Sequence, residues 1–253
     1  MTPEQLAAAS KPYVLELGDA FSRCPDTLRR ARLLGIPGWA FYIAGRAGAL
    51  GDVRAPTVAA ALGFIAPDAV ADGWDAAARV VPPVEVAVAN LAECCRWGGQ
   101  QLAGVAGVTR LAGLLRRVVD AADDSAMPLF AAWRAMPVPD DSPGARAAVG
   151  LLLLREHFAA AYLLAVRAGG MTPLEAVLAG PEGEAGALAC GWEPPYPHVA
   201  PLVRRRLWAE AVTDRLASAA FRALAPGEGP ELLDLLAATQ AEVQGRAPSQ
   251  RLR

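Results

Sequence analysis

Thr2-Pro3-Glu4-Gln5 begins the chain with a helix start, Thr2 placed to cap and Pro3 at the first helical position. Proline is tolerated there because its missing N–H is one of those a helix leaves unbonded anyway. The signal returns at Pro56, at Pro67 and at Thr172-Pro173, where Thr172 and Glu175 have the spacing of a capping box. Between these starts the apolar content is mostly alanine, leucine and valine, for the chain is 54% hydrophobic but only 6% aromatic. Alanine and leucine lose little side-chain entropy in a helix, and strand-favouring aromatics and threonine are scarce. The expected fold class is therefore all-α. It is a multi-helix bundle of about ten helices in two packed halves, 1–125 and 126–253, able to form one compact domain.

Helices are expected from residue 3 to about 17, and over 26–34, 37–47, 56–64, 67–79, 84–97 and 100–120. Asp123, Asp124 and Ser125 form a polar break, and Met136 to Gly144 is a proline- and aspartate-rich loop that marks the seam between the halves. A long helix over 143–168 ends at Gly169-Gly170 and another restarts at Thr172. The glycine- and proline-rich stretch 180–198 should be irregular. Helices over 200–223 and 229–244 close the fold, and the tail from Gly245 is expected to fray.

At 253 residues the chain can bury roughly 70–75% of its unfolded surface, so the core needs no staple. Its 24 basic and 26 acidic residues give a net charge of −2, which argues against nucleic acid or an anionic membrane as partner. The four cysteines form no CxxC pair and only two histidines could assist them, so neither a metal site nor a cofactor is expected. The thiols read as reduced and mostly buried. No basic start precedes an apolar run at the N-terminus, and the apolar run Ala147 to Leu154, broken by Gly150 and ended by Arg155, is too short to span a bilayer. A cytoplasmic location is expected. Glycine-rich phosphate loops, HExxH and nucleophile elbows are all missing from the sequence.

Chemistry concentrates in Leu154-Arg155-Glu156-His157-Phe158, followed by three alanines and Tyr162. Leu154, Phe158 and Tyr162 recur every four residues and make an apolar stripe. Alanines beside Glu156 and His157 leave room for a ligand pocket, in which the two could act as an acid/base pair. The competing reading makes His157 a satisfied core histidine and pairs Glu156 with an arginine of another helix. A second cluster, Trp39, Tyr42 and Arg46, offers hydrogen bonds and cation–π contact to an anionic or aromatic ligand. Its competing reading is a set of core aromatics capped by an ion pair. Arg204-Arg205-Arg206 opens a helix and could touch phosphate backbone, although Glu210 and Asp214 nearby explain it equally as salt bridging.

Several stretches, taken in order, resemble the SalK-like actinobacterial family of helix-turn-helix-labelled proteins. They are Leu34 to Gly51, Leu154-Arg-Glu-His157, Ala168 to Ala176, and Thr213-Asp-Arg-Leu-Ala217. The resemblance implies a helical, ligand-related or DNA-related protein of specialised metabolism. Two departures stand out. Members tend to carry a histidine in the first helix and a polar run after Arg-Glu-His. Here the corresponding residues are Lys11 to Val14, and Phe158 to Tyr162. Members also carry a winged-helix-like segment after Gly-Trp, but only about twenty residues separate Trp192 from Thr213 here.

Two functions are therefore expected of the chain. One is binding of a small hydrophobic or aromatic molecule, in its catalytic form a cofactor-independent cyclase or isomerase. His157 and Glu156 would then be catalytic, and Trp39, Tyr42, Arg46, Arg155 and Tyr162 would bind the ligand. The other is a ligand-responsive DNA-binding regulator. A homodimer is the expected assembly.

Overall fold

The computed structural model describes residues 1–246 of the chain, and all regular structure in them is helical. Thirteen α-helices follow one another among these residues. The first seven are α1 (Pro3–Asp19), α2 (Pro25–Leu33), α3 (Gly38–Ala47), α4 (Ala55–Leu62), α5 (Pro67–Ala78), α6 (Pro83–Gln101) and α7 (Val108–Ala121). Then come α8 (Pro128–Arg134), α9 (Pro143–Ala168), α10 (Pro173–Leu178), α11 (Gly183–Ala189), α12 (Val203–Phe221) and α13 (Glu228–Arg246). The tail expected to fray lies, from residue 247, outside the described residues.

The expected starts form as the local chemistry dictates. Thr2 accepts from the Gln5 amide while Gln5 reaches back to the Thr2 amide, and Thr172 and Glu175 do the same at α10. Two helices go beyond the sequence reading, α8 and α11, each seven residues long. Helices so short are not stable alone, so tertiary packing must hold them. In α8 this is plain, since Leu129, Phe130 and Trp133 are all buried. The helix expected from 100 begins only at Val108, because the chain turns at Gly107 with φ +77°.

α9 is the axis of the fold. It packs against α1, α6, α7, α8 and α12, and the buried core runs from Leu6 on α1 to Leu236 on α13. Close approach to it requires glycine. A Cβ on Gly98 would stand 2.4 Å from the Gly144 carbonyl oxygen, and one on Gly144 would stand 2.4 Å from the Gly98 carbonyl oxygen. α6 and α9 therefore meet backbone to backbone. With 26 residues α9 is long and apolar enough to cross a membrane, yet 61% of its most apolar window is buried inside the protein. Lys11, the chain's single lysine, ties α1 to α12 through Glu210 at 2.8 Å and Asp214 at 2.7 Å.

Candidate functional site

Glu156 and His157 are neighbours on α9, so their side chains leave the helix about 100° apart. Both are buried, at 2% and 3% exposure, and they face different partners. Glu156 turns toward α3 and receives both arms of Arg46, Nε at 2.9 Å and Nη2 at 3.0 Å. Arg155 adds a third bond at 2.5 Å and reaches Asp19 of α1 at 3.1 Å. Burial alone pushes the Glu156 carboxyl up, but the Arg46 and Arg155 charges outweigh it and hold it below the ordinary 4.5. The Arg46 guanidinium is bound correspondingly more firmly to its proton. This is a paired, charge-assisted network of the kind that keeps a buried carboxylate ionised.

His157 turns toward α8. Its ring meets the Phe130 ring edge-on at 5.0 Å between centroids, and Phe158 lies at 6.5 Å. The space expected beside it is thus taken by aromatic carbon. Burial pushes the imidazole below 6.5 and the Arg134 charge does so too, against the opposing pull of the Asp123 backbone and carboxylate. The two proposed acid/base groups do not share a space.

Of the remaining expected residues, Tyr42 joins Arg46 and Arg155 around a cavity of about 20 Å³, which has room for a single water. The buried amide of Asn90 lines it as well. Trp39 stacks on Tyr42 at 5.7 Å and donates its indole N–H to the Ala69 carbonyl. Tyr162 is elsewhere, stacked on Phe64 at 5.2 Å, with burial and Glu210 pushing its phenol up.

A larger opening escaped sequence reasoning. A cleft of about 600 Å³ lies between α7 and α9 and is closed at one end by Arg134 and the loop ahead of α9. Ala112, Gly113, Val149, Gly150 and Leu153 give it an apolar floor. Arg116, Arg134 and Arg146 stand on its rim with Asp120, Asp140 and Asp141, so its formal charges cancel. Arg134 bonds the Ala122 carbonyl and Asp124 and stacks over Phe130 at 5.2 Å, which puts His157 one aromatic layer behind the cleft wall. Gly113 was the available signal. It sits in the middle of α7, where glycine costs about 1 kcal/mol relative to alanine. A Cβ there would meet nothing within 4 Å, so packing does not require the glycine.

Among the described residues no group of three or more His, Cys, Asp or Glu is placed to hold a metal ion. α10 and α11 form a helical hairpin, joined by Ala179 to Glu182 and packed on each other. The second helix exposes Glu184, Ala185 and Leu188 and carries no cation. The arginines lie at the start of α12, where Arg204 and Arg205 are exposed and Arg206 pairs with Glu210 at 3.1 Å. No curated protein and no solved structure matches the chain. The model of a helix-turn-helix family matches residues 14–248, nearly the whole length, and the chain belongs to that helix-turn-helix family.

Proposed function

We propose that the chain binds a small, largely apolar molecule in the α7/α9 cleft. The observation that carries this is the cleft itself, lined at mid-helix by Gly113, where a Cβ would meet nothing within 4 Å. A volume near 600 Å³ is in the range of small-molecule sites. A rim without net charge over an aliphatic floor favours an uncharged ligand. An enzyme of the cyclase or isomerase kind would need His157 and Glu156 to face one space, so binding, not turnover, is the better reading. Together with the SalK-like resemblance, we read the chain as a cytoplasmic ligand-binding protein of actinobacterial specialised metabolism.

The test is a fluorescence titration with N-phenyl-1-naphthylamine, an uncharged apolar probe that brightens out of water. Saturable binding is expected, weakened roughly tenfold or more by Gly113→Leu, which fills the floor. Equal binding by both proteins would overturn the site.

The second reading, a ligand-responsive regulator that binds DNA, is favoured by family membership and by exposed Arg204 and Arg205 at the positive end of a 19-residue helix. The acidic second helix of the hairpin counts against it, as does the lack of any strand for a wing among the described residues. A salt-dependent gel shift with the gene's own upstream fragment, lost on replacing Arg204 to Arg206 by alanine, would support it. No shift at low salt ends it.

A further inference from the structure

We propose that two copies of the chain join through the outer face of α12, each laid against the α10–α11 hairpin of the other. α12 buries one side, with Ala209, Thr213, Ala217 and Phe221, against the body of the protein. On its other side Arg204, Leu207, Trp208, Ala211 and Arg215 recur at three- and four-residue spacing, which is a second amphipathic stripe. Leu207 is 57% exposed and Trp208 48%, and Val203 extends the apolar surface at the start of the helix. Trp208 rests on the backbone at Gly169, where a Cβ would come within 3.3 Å of its ring, so the ring is held in place with its far side open. An anchored tryptophan beside an exposed leucine and unpaired arginines is the composition of a protein interface.

Charge identifies the occupant. Arg204, Arg205 and Arg215 make no ion pair among the described residues, and neither do Glu182 and Glu184 on the hairpin. The hairpin lies alongside, for Gly180 in its turn approaches the Arg206 guanidinium and Gly170 just ahead of α10 approaches that of Arg205. Unpaired arginines at the start of α12 and the two unpaired glutamates of the hairpin therefore sit on neighbouring elements, with Leu188, 64% exposed, on the hairpin. A two-fold axis brings the arginines of each copy to the glutamates of the other and covers Leu188, Leu207 and Trp208 together. DNA or an unrelated acidic protein would answer the arginines and leave the glutamates facing negative charge. A second copy uses both.

Sedimentation velocity on the full chain is the test. The expected species has twice the 26.3 kDa chain mass. Leu207→Glu, and independently Trp208→Glu, should give monomers with unchanged helical circular dichroism, since both residues are exposed. Arg204→Glu/Arg205→Glu should weaken the dimer at least tenfold at low salt, and adding Glu182→Arg/Glu184→Arg should restore it. A wild-type monomer at about 100 µM overturns the proposal. So does a dimer that survives both apolar-to-acid changes, or one that ignores the charge reversals.

Discussion

Glu156→Ala isolates the most consequential polar contact in the fold. The wild-type carboxylate is 1% exposed at its side chain, and it neutralises Arg46 and Arg155, each only 14% exposed. Removing it leaves two guanidinium groups in a poorly solvated space, with Asp19 the remaining partner of Arg155 alone. Breaking one side of a buried pair costs about 3–5 kcal/mol, because the stranded charge cannot recover its hydration. For a chain of this size that is a fall in melting temperature of roughly 6–20 °C. Glu156→Gln keeps the shape and one acceptor but loses the charge, so about 1.5–3 kcal/mol is expected. The assay is urea unfolding of both variants and of Arg46→Ala, closed as a double-mutant cycle. If Glu156→Ala lay within about 1 kcal/mol of wild type and the cycle were additive, the network would contribute nothing and the reasoning would fail.

Acidification should destabilise the protein in two stages. A folded-state pKa held below its unfolded value contributes stability that is whole above the unfolded value and is lost as pH falls through the folded one. His157 begins this loss below 6.5 and Glu156 below 4.5, as pH-dependent urea unfolding can show, and His157→Gln should abolish the first stage only. His157→Ala should cost roughly 2–4 kcal/mol through the gap left beside Phe130, with the fold otherwise kept. Gly98→Ala and Gly144→Ala should each destabilise by more than about 3 kcal/mol, since a Cβ at either site meets backbone that cannot move aside. Gly113→Ala should instead stabilise by up to about 1 kcal/mol in the same assay, the mark of a glycine kept for a reason other than folding.

The sequence alone settled the helical class and most helix starts, because caps and first-turn prolines act within four residues and need no tertiary partner. It named Arg46, Glu156 and Arg155 and could not join them, since Arg46 and Glu156 are 110 residues apart and only the crossing of α3 on α9 brings them together. The divergence of Glu156 and His157 was legible in principle, because adjacent helical residues point about 100° apart whatever the surroundings. What fills the space around each was not legible. α8 supplies the Phe130 that packs on His157, and a seven-residue helix exists only because its neighbours bury it. The cleft belongs to tertiary structure in the same sense: Gly150 lets Leu115 of α7 pack onto α9, and only once the two helices lie side by side does the open space at Gly113 become the wall of a cleft.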